Sequence, residues 1–331
     1  MSTMLAPLMQ GFFIDRLTRQ RGASPATIAA YRDTFRLLLA HVQQVTRTPP
    51  SGLRLDDIDA TAITGFLDHL ERDRGNLPRT RNARLAAIRS FFRYVALREP
   101  GHADQIARVL AIPQKRQDKV QVAYLTQVQA RALVNAPDTG TWEGRRDHAF
   151  LTLALHTGLR ISELLSLRRV DVTLGAVAQV RCTGKGRKER AVPLTSATAK
   201  VMRAWLRQIP TRLDAAIFAT RAGRVLSRDA IEQRLAIHAV TAATTFPSIA
   251  SVHVTAHVLR HTCAMNLLHA GVDTAVIAMW LGHEDLRSTQ AYLHADMTIK
   301  EQALERTRPI DVPAGRYQPR DDTLLAFLEA L

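Results

Sequence analysis

Apolar residues in the first hundred positions recur with the 3.6-residue period of an α-helix, and no strand-like alternation interrupts them. That pattern confines the region to a bundle of short helices. Phe12, Phe13, Ile14 and Leu17 share one face. Ser24-Pro25 reads as an N-cap followed by proline at the first helical position, with Ile28, Tyr31, Phe35, Leu38 and Leu39 facing inward after it. A third helix is expected after Asp59, burying Ile63, Phe66, Leu67 and Leu70. A fourth is expected from about Thr80 to Leu97 with Leu85, Ile88, Phe91, Phe92 and Val95 inward. Four helices make a compact bundle.

Beyond the bundle, Ile112-Pro113-Gln114-Lys115-Arg116-Gln117-Asp118-Lys119 is polar, basic and opened by proline, which is how an exposed connector reads. A second domain is expected to begin near Tyr124-Leu125-Thr126, with Thr126 as a candidate N-cap. Its helices are interrupted by one β segment, Val177 to Val180 and Ala191 to Leu194, around a Gly184-Lys185-Gly186 turn. Pro313, Gly315 and Pro319 mark a late linker. After it, Leu324, Phe327, Leu328 and Leu331 fall at i, i+3, i+4 and i+7 of a final amphipathic helix from Asp322 to Leu331. A helix that short needs its apolar stripe covered, either by its own domain or by a neighbouring protomer.

With 331 residues and 46% hydrophobic content, two packed cores are affordable. The net charge of +15 is spread over both halves. Residues 1–120 carry 19 Lys+Arg against 11 Asp+Glu, and the remainder 26 against 19. A polyanionic partner, most economically nucleic acid, fits a chain that is basic on both jaws, whereas a basic tail on a neutral enzyme is excluded. Most of the positive charge is Arg, which suits bidentate phosphate contacts and equally follows from genome base content. Two distant cysteines, Cys182 and Cys263, imply neither a disulfide framework nor a zinc site. No signal peptide and no apolar run near 18 residues is found, so a cytoplasmic protein away from membranes is expected.

The residues that carry chemistry lie in the second half. Cleaving a phosphodiester by direct displacement requires an in-line nucleophile, cations on the non-bridging oxygens and a proton donor for the leaving oxygen. Arg160, in Thr157-Gly158-Leu159-Arg160-Ile161-Ser162-Glu163, and Arg260, in His257-Val258-Leu259-Arg260-His261, fit the cation role. Lys185, in Gly184-Lys185-Gly186-Arg187-Lys188-Glu189-Arg190, sits at a hairpin tip and suits a general acid. His257 shares a helix face with Arg260 and could accept a tyrosine proton. His283 follows Leu281-Gly282, a helix-ending signal, and Tyr292 lies nine residues further on. On its own each of these has an ordinary reading as well: a surface ion pair for Arg160, a solvated turn for Lys185, a core ring for Tyr292.

In order and spacing the series resembles the tyrosine recombinase (phage integrase) family of site-specific DNA recombinases, in its Xer-like two-domain form. The resemblance implies a mainly α fold: a four-helix SAM-like core-binding domain over residues 1–111, a basic linker over 112–119, a mostly helical catalytic domain with a small β-sheet over 120–310, and a linker with a docking helix over 311–331. It implies Tyr292 as the nucleophile, His283 as a donor to the scissile phosphate, Glu163 as an orienting carboxylate and His261 as a supporting residue. The reaction implied is transesterification through a 3′-phosphotyrosyl link. No cofactor, metal or ATP is called for, and no Walker A loop or carboxylate cluster for paired magnesium ions is found. The implied partners are double-stranded DNA at specific recombination sites and a homotetramer, or a heterotetramer with a sibling recombinase, on the bacterial nucleoid. Arg79, Arg81, Arg84 and Arg89 of the fourth helix, Lys115 and Arg116 of the connector, and Arg187 and Lys188 of the hairpin are the candidates for DNA contact. The alternative for the helix arginines is a solvated basic face.

Two features depart from the compact family pattern or bear on subtype. Ala242 to Val254 looks longer than the usual turn before His257. The lack of an arm-binding domain before about residue 8 favours a simpler recombinase over an integrase carrying one. A type IB topoisomerase-like relaxing enzyme and a non-catalytic DNA-binding protein of the same fold are the alternative functions.

Overall fold

Short polar side chains fix where the helices start. The structure, a computed structural model, describes residues 3–116, 122–184 and 189–282. Helix α1 (Leu5–Gly11) widens into a π-type helix over Phe12–Gln20. Then follow α2 (Pro25–Thr46), α3 (Ala60–Arg72) and α4 (Pro78–Val95). Ser24 Oγ accepts the Thr27 N–H at 3.2 Å, the N-cap expected there, and Asp59 Oδ1 caps α3 through the Ala62 N–H at 2.8 Å. The apolar faces of these helices meet around Phe12, whose ring stands edge-on to Phe35 and Phe91 at 6.1 and 5.4 Å between centroids. All three are buried, as are Leu38, Ile63, Phe66, Leu85 and Ile88.

The bundle contains a fifth helix that the periodicity did not reveal, α5 (Ala103–Ala111). It lacks a side-chain cap and is short, but Ile106 and Val109 sink into the same core, followed by Ile112. Ile112 marks a correction to the connector reading, because residues 112–116 lie strapped to the unit's own α3 and α4. Arg89 donates to the Ile112 carbonyl, Arg81 Nη1 to the Pro113 carbonyl at 3.3 Å, and Asn82 Nδ2 to the Lys115 carbonyl at 2.8 Å. Asn82 Oδ1 takes the Lys115 N–H in return at 3.0 Å, and Lys115 Nζ reaches Glu71 at 2.6 Å. The side chains of 113–116 are exposed while their backbone is held.

Chain contacts divide the protein into Met1–Lys119 and Val120–Leu331. The second unit is built from α6 (Gln127–Asn135), α7 (Trp142–Thr157), α8 (Ile161–Ser166), α9 (Ser196–Leu206), α10 (Arg228–Thr245), α11 (Ala256–His269) and α12 (Thr274–Leu281). Thr126 caps α6 through the Gln129 N–H, and Gln129 returns the bond to the Thr126 N–H, a full capping box. An antiparallel sheet of order β1-β2-β3 joins β1 (Val172–Leu174), β2 (Ala178–Thr183) and β3 (Glu189–Pro193). The Thr183–Glu189 pair closes the hairpin around residues 184–188. Strand β1, paired Val172 to Val180, was not foreseen, since three residues are too few to display alternation.

The long stretch before His257 is accounted for by α10 running on to Thr245 and by a 3₁₀ turn, Pro247–Ser251, that places Ile249 in the core. A buried polar cluster fastens α10 to α7. Asp147 accepts from Arg146, Arg234 and His238, the last at 2.8 Å, while Arg146 Nη1 donates to the Ala219 carbonyl at 3.1 Å. Gln117 to Lys119, Lys185, Arg187, Lys188, and everything from His283 through Tyr292 to the expected final helix lie outside the described residues. No described helix is long and apolar enough to cross a membrane.

The strap yields a stability prediction. Asn82→Ala leaves both backbone groups of Lys115 without their partner, and unfolding of the full chain in urea should show a loss of about 1–3 kcal/mol. Trypsin should also cut faster after Lys115 and Arg116. An unchanged midpoint and cutting rate would mean that the strap is not held.

Candidate active site

Two glycines in left-handed conformation bring the site together. Gly158 ends α7 at φ 61° and Gly282 ends α12 at φ 67°, conformations that cost little only without a Cβ. Their surroundings forbid a side chain as well. A Cβ on Gly158 would stand 2.5 Å from Leu281 Cδ2, and one on Gly282 would stand 2.7 Å from Arg190 Nη1. Hence the ends of α7 and α12 abut, and Trp280 Nε1 ties them further by donating to the Thr157 carbonyl at 3.1 Å.

Onto this junction three arginines converge from three different elements. Arg160, at the start of α8, donates from Nη2 to the Gly282 carbonyl at 3.0 Å. Arg260, on α11, donates from Nη1 to the Gly158 carbonyl at 2.6 Å and from Nη2 to the Leu281 carbonyl at 2.8 Å. Arg190, on β3, donates from Nε to the Trp280 carbonyl at 3.2 Å. Cations are favoured at a helix C-terminus, where the last carbonyls lack helical partners. Arg260 is 4% exposed, whereas the Arg160 side chain remains 32% exposed, so Arg160 keeps access to solvent.

Glu163 binds two of the three. Its carboxylate accepts the Arg160 N–H at 2.7 Å, Arg160 Nη1 at 3.0 Å, and Arg190 Nη1 and Nη2 at 3.0 and 2.8 Å. Burial by itself pushes this carboxyl up. The hydrogen bonds and charge of Arg190, with those of Arg160, more than reverse that and leave it below the ordinary carboxylate value. Arg160, Glu163 and Arg260 thus lie in one cluster about the ends of α7 and α12. Arg190 closes the 184–190 run, and nothing in the run itself points to a role for it. The signal that could have singled it out is its place on the inner edge of the hairpin, two residues before buried Val192 on the same strand face.

His257 is exposed one turn before Arg260 on α11, which starts from an N-cap at Thr255. The His257 and His261 rings stack with centroids 5.7 Å apart and 11° between planes. Burial, then the neighbouring His257 and Arg260, push His261 down to about 4, so its ring is neutral at pH 7. Both thiols beside the cluster are driven the other way by burial, Cys182 to about 11 and Cys263 to about 12, and stay protonated. Neither is available as a nucleophile at neutral pH.

The remaining candidates sit on the first unit. Arg79 is exposed at the start of α4, and Arg84 is half-buried in a groove with Ala26, Ala30, Ala83 and Ala87 of α2 and α4. Arg81 is 4% exposed, with Nε 3.5 Å from Glu71, and like Arg89 it donates to a carbonyl of the strap. These two are occupied inside the fold, which is neither the phosphate-facing nor the solvated role expected of them. Arg116 is exposed, and Lys115 is exposed in its ion pair with Glu71.

The Phage integrase family profile matches residues 123–298, and the profile for the phage integrase N-terminal SAM-like domain matches residues 12–99. The chain belongs to the phage integrase family of tyrosine recombinases. It is 50% identical to the integrase/recombinase y4rC of Sinorhizobium fredii over 328 residues, 99% of this chain and 98% of the relative. Identity to the tyrosine recombinase XerD of Vibrio vulnificus is 32% over 313 residues, 93% of this chain and 94% of the relative. The solved XerH site-specific recombinase bound to palindromic difH shares the fold, with a TM-score of 0.65 at 21% identity over 86% of this chain and 81% of that one.

The His261 ring predicts a pH dependence of stability. As pH falls below the ordinary histidine value of 6.5, the unfolded chain takes up a proton that folded His261 refuses until about pH 4. Its contribution is thus complete above 6.5 and is lost as pH falls toward 4. His156, also pushed down by burial, acts in the same direction. The melting temperature of the full chain should fall between pH 7 and 4.5, and fall less for His261→Gln. Parallel curves for the two proteins would show that His261 titrates normally.

Proposed function

We propose that this chain is a site-specific recombinase that cuts and rejoins duplex DNA through a 3′-phosphotyrosyl intermediate. Tyr292 is the nucleophile, and Arg160 and Arg260 neutralise the non-bridging oxygens of the scissile phosphate. Lys185 protonates the departing 5′ oxygen, His257 accepts the tyrosine proton, and His283 donates a hydrogen bond to the phosphate. The 5′-hydroxyl of a second strand then attacks the phosphotyrosine and restores the backbone, so the energy of the cleaved bond is retained. The observation that carries this reading is the convergence of Arg160 and Arg260, from separate helices, on the glycine-capped end that precedes His283. Arg160 is fixed by Glu163 and Arg260 by the Gly158 and Leu281 carbonyls, and two cations so fixed suit a dianionic transition state.

The two jaws divide the work. Residues 1–111 take the DNA duplex, with exposed Arg79 at the start of α4 and Arg84 in the groove between α2 and α4 as phosphate contacts. Residues 112–119 connect, 120–310 carry the chemistry, and Arg187, Lys188 and Arg116 add phosphate contacts. Recombination of two sites calls for four protomers, either identical or shared with a sibling recombinase, acting on the bacterial nucleoid in the cytoplasm. Integration, excision or movement of a mobile element is the setting that such a chemistry serves.

The assignment is tested on a duplex selected from a randomised pool by binding to the full chain, then nicked so that the cleaved end diffuses away. Wild-type protein should accumulate a covalent protein–DNA adduct, while Tyr292→Phe should bind equally and form none. An adduct surviving in Tyr292→Phe would remove Tyr292 from the role. Arg160→Ala and Arg260→Ala should each slow cleavage by on the order of 10²-fold or more.

Salt dependence tests the clamp on the same duplex. With about six to ten phosphates neutralised, affinity should fall by roughly 10³ to 10⁵ between about 50 and 200 mM salt. A flat response would contradict binding through both basic jaws.

A further inference from the structure

We propose that Arg190 is a positioning residue for this reaction: by neutralising Glu163, it leaves the charge of Arg160 for the scissile phosphate, and it fixes the end of α12 from which the chain runs on to His283. The proposal deepens the reading of Arg160 above and rests on it. Arg190 is well placed to act on several catalytic segments together. It lies at the base of the hairpin that carries Lys185 in its loop, in register with Cys182 on β2. Its guanidinium bonds α8 through Glu163 and α12 through Trp280.

The geometry is that of a fork used to its full extent. Nη1 and Nη2 meet the two carboxylate oxygens of Glu163 at 3.0 and 2.8 Å, the paired arrangement in which Arg binds a carboxylate most firmly, and Nε takes the Trp280 carbonyl at 3.2 Å. The Arg190 side chain is 14% exposed and that of Glu163 3%, so the pair is formed away from solvent screening. The guanidinium also occupies the space where a Cβ on Gly282 would stand, so Gly282 and Arg190 are fitted to each other.

Charge accounting gives the pair its consequence. Glu163 carries one negative charge and touches two cations, Arg190 and Arg160. With Arg190 present, the carboxylate is compensated by a group that is well shielded from solvent, and the net positive charge of Arg160 and Arg260 remains for a phosphate. Without Arg190, the same buried carboxylate draws on Arg160 alone, because a buried charge left half-paired is costly. The site then loses one unit of positive charge although no residue that touches DNA has been altered. Lys in place of Arg190 retains the charge but not the fork.

The test compares two versions of the selected nicked duplex, one with an ordinary scissile phosphodiester and one with a methylphosphonate there, in which a methyl group replaces a charged oxygen. Arg190→Gln should bind DNA within about threefold of wild type yet cleave the phosphodiester on the order of 10²-fold more slowly. On the methylphosphonate, which presents one less negative charge to compensate, the deficit should shrink at least tenfold. Arg190→Lys should retain most of the phosphodiester rate. Arg190→Gln combined with Glu163→Gln should recover at least tenfold over Arg190→Gln alone, and serves in its place should the single variant fail to fold. An equal deficit on both substrates, no recovery in the double variant, or a wild-type rate in Arg190→Gln overturns the proposal while leaving the reading of Tyr292 intact. A wild-type chain that forms no adduct on the phosphodiester overturns both.

Discussion

Glu163 is a carboxylate 3% exposed, and the second unit is organised around keeping it charged. Removing such a group from water costs several kcal/mol, which is recovered only when every lone pair is engaged and the countercharges are close. The sequence meets that demand from three directions: the backbone N–H of Arg160, the Arg160 side chain and the fork of Arg190. The turn after α7, the start of α8, the hairpin strand β3 and the end of α12 are thereby held to one another by polar contacts of fixed geometry. Apolar packing would hold these elements as firmly but would not fix guanidinium groups to tenths of an ångström, which is what transition-state stabilisation needs.

The same device recurs elsewhere among the described residues. Asp147 gathers Arg146, Arg234 and His238 where α7 meets α10, and Glu71 gathers Arg81 and Lys115 where the strap crosses α3 and α4. Positive charge in this chain is therefore both a surface property directed at polyanions and a construction material. Of the four α4 arginines put forward for DNA contact, Arg81 and Arg89 hold the fold, and Arg79 and Arg84 retain access to solvent or groove.

That division was only partly visible in the sequence. A helical wheel sets Arg81 in line with Leu85, Ile88 and Phe92 on the apolar face of α4, so its burial could be read there, whereas the role of Arg89 depends on Ile112, 23 residues away and beyond α5. What could be read was local: caps at Ser24 and Thr126, the helix start after Asp59, the inward stripe of each long helix, and the glycine stop before His283. Those are interactions spanning three or four residues, and the code for them lies within that window. Arg160, Glu163 and Arg260 were legible as candidates through the wording around them. Arg190 was not, since its importance arises from Trp280 and Glu163, 90 and 27 positions away. Helix α5 and strand β1 were missed because neither has a cap or enough residues to establish a period, and tertiary burial alone decides their state.

The two cysteines flank the arginine cluster, buried on either side of it, with Cys263 donating its thiol proton to the His156 carbonyl. A protonated, sterically enclosed sulfur reacts slowly with alkylating and disulfide reagents. The native chain is in this sense a cysteine-silent background. A single thiol placed on an exposed position such as Val45 or Val177 would be the one fast-reacting sulfur in the molecule. Fluorophores or spin labels can thus be attached to either unit without first removing the natural cysteines and disturbing the packing beneath Gly158.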